Sequence, residues 1–204
     1  MNLDLTQLIA IAAALGWASG LRLYAVVFIT GMAGWLGWVD LPGDLHVLAN
    51  PIVLGASGLM LFLEFFIDKI PGLDSVWDAN HTFIRIPAGA ALAGAVFGGD
   101  PASWVTAAAL MGGTLAATSH AAKLTTRASA NASPEPFSNI VLSLLGDGAV
   151  PVMLWLSWVH PLVALVTLAA VVVVSLVVVW VLWRFIARLM RRMRGGHVEP
   201  ALEP

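Results

Sequence analysis

Apolar runs broken by short polar clusters alternate along almost the whole chain. Residues 7–19 form a first run, short for a full membrane crossing, which reads as a tilted span or a re-entrant helix. It breaks at Gly20-Leu21-Arg22, and residues 23–39 form the next span. Residues 41–50 carry Pro42, Gly43 and Asp44 and read as a loop, followed by a span over 51–66. Residues 64–89 are polar between two apolar runs, and residues 86–98 form a further span. After the Gly98-Gly99-Asp100-Pro101 turn come an Ala- and Gly-rich span, 102–118, and a second polar stretch, 119–136. A span over 137–159 reads as interrupted at Gly146-Asp147-Gly148 and Pro151, where proline removes a backbone donor. His160-Pro161 makes a turn into the most apolar run, 162–183, and residues 195–204 read as a disordered cytoplasmic tail.

This pattern predicts an all-α, polytopic transmembrane helix bundle of six to seven membrane segments, one membrane domain over 1–194. Composition agrees. The 204 residues are 59% hydrophobic and only 11% charged, with mean hydropathy +0.88. With no Cys there is no disulfide framework and no thiol nucleophile. The first residues lack the basic stretch of a cleavable signal, so the first run reads as retained. Nothing in the charge points to nucleic acid. Arg184, Arg188, Arg191, Arg192 and Arg194 follow the last span and place the C-terminus in the cytoplasm. Counting back through seven crossings puts the N-terminus outside and Arg22, Lys69, Arg85, Lys123 and Arg127 inside as well. The small-residue segments AAALGWASG and AAALMGGTLAATS each precede a break with a basic residue, which suggests a parallel repeat of three spans, one linking span and three spans.

The first polar stretch carries Glu64, Asp68, Lys69, Asp74, Asp78, His81 and Arg85. A charge at mid-bilayer costs about 2.5–3.5 kcal/mol unless paired or wetted, which makes this stretch the first candidate site. On a helix, Asp74, Asp78, His81 and Arg85 share one face. They can pair with one another, bind a divalent cation or relay protons. His120, Lys123, Arg127 and Asn131 form a second one-faced stripe on the same side of the membrane. The two stripes either pair directly and hold the bundle shut, or share a ligand with Lys123 and Arg127 gripping a phosphate or carboxylate. The candidate metal ligands are Asp74, Asp78, His81 and His120. Asn139 lies at the start of the next helix, beside a capping serine. Asp147 falls about 15 Å into that helix at 1.5 Å per residue, near mid-membrane. It reads either as a cation or proton site with Glu64 as partner, or as a neutral acid bonded to a neighbouring helix.

The runs EFFIDKIPGLDSVWDANHTFIRIPAG and HAAKLTTRASANASPEPFSNI resemble a group of bacterial integral membrane proteins known as a domain of unknown function. The likeness covers most of residues 5–168. It implies a signature of Glu64, Asp68, Lys69, Pro71, Asp74, Trp77, Asp78, His81, Arg85, Pro87, His120, Lys123, Arg127, Asn131, Pro134, Phe137 and Asn139. An acidic pair is common near position 146–147 in that group; here Gly146 stands in place of one of them. The resemblance implies a multi-pass protein of the bacterial inner membrane and brings no activity with it.

The leading expectation is a transporter or channel-like protein for a small solute or ion, with a polar site open to the cytoplasm. Its partners are the lipid bilayer and a solute, ion or anionic headgroup. The alternatives are a membrane-embedded, metal-dependent enzyme acting on a lipid or phosphate ester, and a structural or assembly protein.

Overall fold

A computed structural model describes residues 3–70, 72–131 and 137–195; the side chains of 131, 137–139, 186, 187 and 189–195 are not described. The described residues form α1 (Leu5–Trp35), a 3-10 helix (Gly43–Ala49), α2 (Pro51–Ile67), α3 (Leu73–Ala95), α4 (Ala102–Asn131), α5 (Phe137–Val159) and α6 (Pro161–Gly195). No strand occurs among them. Asp4 opens α1 by accepting from Gln7 N at 2.7 Å, and Asn50 opens α2 by accepting from Ile52 N at 2.9 Å. The prolines at 51 and 161 each begin a helix, where their missing donor costs nothing.

Helix α1 leaves helical geometry at Arg22, with φ −148° and ψ 78°, as the sequence break at Gly20-Leu21-Arg22 predicts. The two arms run in opposite directions. The first arm descends beside α4: a Cβ on Gly16 would meet Gly112, and one on Gly20 would meet Ala116 and Ser119. The second arm returns beside α2: Gly58 faces Phe28, and Gly31 faces Leu48 and Leu54. Both ends of α1 therefore reach the same end of the bundle, where Leu3, Leu8, Asp40 to Gly43, Gly98 and Asp100 surround one cavity. Arg22 sits at the tip of the hairpin, at the other end.

The one expected loop holds a 3-10 helix, and the two polar stretches are largely helical. Residues 73–85 belong to α3 and residues 119–131 to α4, so polarity there marks an inward-facing stripe and not a connection. The 41–50 segment holds the 3-10 helix, and α5 runs unbroken through Gly146, Asp147, Gly148 and Pro151. A proline inside a helix removes one donor without ending it when packing holds the turn. Among the described residues three helical segments, 5–35, 140–159 and 161–185, are long and apolar enough to cross a membrane. A fourth counts if the 3-10 helix and α2, bent by 72°, are one span. Helices α3 and α4 fall outside that group. The expected tail lies outside the described residues beyond position 195.

Small residues let the first arm of α1, α3 and α4 approach to backbone contact. Gly112 is wedged between Gly89 and Ala93 of α3 and Gly16 of α1. A Cβ there would lie 2.3 Å from the Ala93 Cβ and 2.6 Å from the Gly89 carbonyl. Gly112→Val is expected to lower stability by about 1–3 kcal/mol through overpacking. Gly55→Ala, with open space around the added methyl, should leave stability unchanged or raise it by under about 1 kcal/mol. Unfolding of the two variants in detergent checks this.

Candidate functional site

The break at Arg22 creates the first demand of the site. A helix that stops leaves its last carbonyls without intrahelical donors. Helix α4 supplies them: Lys123 Nζ donates to the Leu21 carbonyl at 3.0 Å, and His120 Nδ1 lies 3.2 Å from the Gly20 carbonyl. One turn earlier, Ser119 Oγ donates to the Trp17 carbonyl at 2.7 Å. A cation at a helix C-terminus also suits the helix dipole.

The second demand is the charge of Arg22 itself, only 2% exposed. Its Nη1 lies 2.9 Å from Asp68 and its Nε 2.8 Å from Asp147. Its Nη2 donates to the Ser143 hydroxyl at 2.8 Å and the Ser143 carbonyl at 3.1 Å. One guanidinium thus ties the α1 elbow to the end of α2 and to α5.

The rest of the cluster follows from the two stripes, which face each other. Asp78 lies 2.7 Å from Arg85, 2.9 Å from Lys123 and 3.3 Å from Arg127. Asp68 meets Lys123 at 3.2 Å and Arg127 at 3.1 Å. Asp74 accepts from the Gly72 and Ser75 amides at the start of α3 and lies 3.5 Å from Arg127. Glu64 pairs with Arg85 through one oxygen, so its partner is Arg85 and not Asp147. Lys69 lies 3.5 Å from Asp147 and stands over the Phe65 ring. Five acids (Glu64, Asp68, Asp74, Asp78, Asp147) therefore face five bases (Arg22, Lys69, Arg85, Lys123, Arg127). The balance is what burial requires, because an uncompensated charge in a low dielectric costs several kcal/mol.

The sequence-predicted residues thus converge, and they do so by direct pairing. Glu64, Asp68, Asp74, Asp78 and Arg85 are fully buried, and Asp147 is half-buried at the edge. His120 joins through Thr82, at 2.8 Å from Nε2, while its Nδ1 serves the Gly20 carbonyl. His81 stands aside: it stacks on Trp77 and engages the Trp77 carbonyl at 2.8 Å and the Tyr24 hydroxyl at 3.1 Å. The side chains of Asn131 and Asn139, and all of Pro71 and Pro134, lie outside the described residues. Among the described residues no three His, Asp or Glu side chains form a metal-ligand group. Of the four candidate ligands, His81 has both ring nitrogens engaged and Asp78 is held by three cations.

Sequence reasoning left Arg22 out of the site. The signal was present: one arginine between two apolar runs must find acids or water. Ser143 and Tyr24 carried no comparable signal, since single hydroxyls are common in membrane helices.

Asp68 lies just past the end of α2. Burial pushes its carboxyl up, but Lys123, Arg22 and Arg127 together outweigh that and hold it below the usual carboxylate range. A lowered folded-state value means stability that is fully present above the unfolded value, about 3.9, and lost as pH falls through the folded one. Asp68→Asn, which removes the charge facing Arg22 from α1 and Lys123 and Arg127 from α4, should cost about 3–5 kcal/mol at pH 7. It should also flatten the loss of stability below about pH 4. Thermal unfolding of both proteins from pH 3 to 7 measures the two effects together.

No curated protein and no solved structure matches this chain. The family model described as Domain of unknown function (DUF4126) matches residues 9–184, which takes in both stripes, the elbow and Asp147. The chain belongs to that family.

Proposed function

We propose that this is a transport or channel-like protein of the bacterial inner membrane, and that the ion-pair cluster is its inner gate. In this reading the two arms of α1 count separately with α2 to α6, giving seven membrane segments in a three, one, three order. The C-terminus and the charged end face the cytoplasm. Arg184 and Arg188 follow the apolar stretch of α6, and Arg22, Lys69, Arg85, Lys123 and Arg127 gather at the same end, in keeping with the preference of basic residues for the inside.

The observation that carries the reading is the sharing of partners around a broken helix. Arg22 divides itself between Asp68 and Asp147; Lys123 between Asp68 and Asp78; Arg127 among Asp68, Asp74 and Asp78. A cation that loses one acid keeps another. Such a network has alternative pairings of similar energy, which is what an element with two discrete arrangements needs. Non-helical backbone within a membrane domain is tolerated where protein buries it or where it lines a path. A small solute or ion carrying charge would enter by taking the place of one acid or one base.

A structural role is the second reading, favoured by the equality of buried acids and bases. A metal-dependent enzyme draws less support, given the engaged nitrogens of His81 and the pairing of Asp78.

Proteoliposomes loaded in turn with potassium, chloride and phosphate test the gate. Flux of at least one above protein-free vesicles is expected, and Asp147→Asn, which frees one side of Arg22, should change it by about tenfold or more, the effect of about 1.4 kcal/mol at the gate. No flux for any of the three, with Asp147→Asn affecting stability alone, would favour the structural reading.

A further inference from the structure

Helix α6 stands apart from the buried network. It runs unbroken over 35 residues. At 1.5 Å per residue that is about 52 Å, about 20 Å more than the hydrocarbon layer of a bilayer. Its apolar stretch, 161–185, turns mostly outward. Val178 lines the same cavity as Arg22, Lys123 and Arg127, and Arg184 lies six residues beyond it. The arginines that end α6 therefore begin about 9 Å past that level and share none of the acids of the cluster.

These cations are also unlike those of the cluster in charge and exposure. The end of α6 carries Arg184, Arg188, Arg191, Arg192 and Arg194, and no Asp or Glu occurs between Asp147 and Glu199. Arg184 and Arg188 are exposed, and neither meets an acid among the described residues. Arg184 stands over the Trp180 ring, 4.6 Å from its centre, and Arg188 Nε donates to the Arg184 carbonyl at 3.1 Å. The register puts Arg184, Arg188 and Arg191 at i, i+4 and i+7, on one face. Trp180 and Trp183, both exposed, close the apolar stretch just before them, as aromatic residues do at the boundary between membrane and water.

We propose that Arg184, Arg188 and the arginine turn after them seat the phosphates of anionic phospholipids in the cytoplasmic leaflet. Charge complementarity selects the occupant: the cations are exposed, no acid among the described residues neutralises them, and the tryptophans set them at headgroup depth. A guanidinium grips a phosphate through two parallel N–H donors. Basic clusters directly cytoplasmic of a membrane helix attract anionic headgroups. The proposal rests on the membrane setting and orientation proposed above and does not require transport.

Full chain in phosphatidylcholine vesicles, with a trace of spin-labelled phosphatidylglycerol or spin-labelled phosphatidylcholine, tests it through the share of label held at the protein surface. Averaged over the surface, phosphatidylglycerol should associate about twofold or more above phosphatidylcholine at about 0.05 M salt. Most of that preference should vanish at about 0.5 M, because exposed charges are screened. Arg184→Gln, Arg188→Gln and Arg191→Gln together should bring the two labels level. Lys at the same three positions keeps the charge and should keep about half the preference or more. Equal association of the two labels with the wild type overturns the proposal. So does a preference that the Gln variant retains in full or that salt leaves unchanged, since either traces it to the buried pairs. Equal labels together with binding of soluble poly-glutamate by the wild type and not by the Gln variant would make an acidic protein segment the occupant instead. The salt series decides even where the Gln variant fails to insert. No flux enters the measurement, so its failure leaves the gate to be judged separately.

Discussion

The constraint from which the architecture follows is the placement of one arginine at the tip of a buried helical hairpin. Arg22 lies where α1 reverses, and neither its charge nor the carbonyls just before it can be left unpaired in a low-dielectric interior. The first requirement draws in Asp68 from the end of α2 and Asp147 from α5; the second draws in Lys123 and His120 from α4. Lys123 then needs acids of its own, and Asp78 brings α3 and Arg85, which in turn takes Glu64. These pairings link α1 to α2, α5, α4 and α3, and the last of them returns to α2. Only α6 contributes nothing to this chain of pairing among the described residues, and it packs instead with aliphatic side chains.

The bundle divides its labour along its length. One half is held by close backbone approach, with Gly16, Gly89 and Gly112 allowing α1, α3 and α4 to touch. The other half is held by charge. Small-residue packing depends on shape and has one good arrangement. Charge pairing among shared partners has several. In the proposed transport reading that contrast puts the moving part at the charged end and the fixed support at the close contacts of the first arm with α4.

Much of this was legible in the sequence, for stated reasons. The break at Arg22 and the one-faced stripes at 74, 78, 81, 85 and at 120, 123, 127 follow from helical spacing, and the buried positions agree. What spacing does not tell is whether a polar run is a loop or a helix whose polar face is covered. Residues 73–85 and 119–131 lower the local hydropathy as a loop would, yet they are helical because the two stripes bury each other. The partner of each charge was also hidden. Glu64 and Asp147 were natural companions as the two acids deepest in apolar runs, but Glu64 lies against Arg85 and Asp147 against Arg22. Pro151 and the glycines around Asp147 read as a break, and α5 passes through them, because a helix with one absent donor can remain continuous where its neighbours hold it.

A double-mutant cycle on Arg22 and Asp147 puts the central claim to its most direct test. Arg22→Met and Asp147→Leu each strand a partner, and unfolding free energies of the two single variants and the double variant isolate their coupling. The account predicts a coupling of about 1 kcal/mol or more, with the double variant more stable than the sum of the single losses allows. Additive losses, within about 0.3–0.5 kcal/mol, would mean that this pair does not hold the elbow.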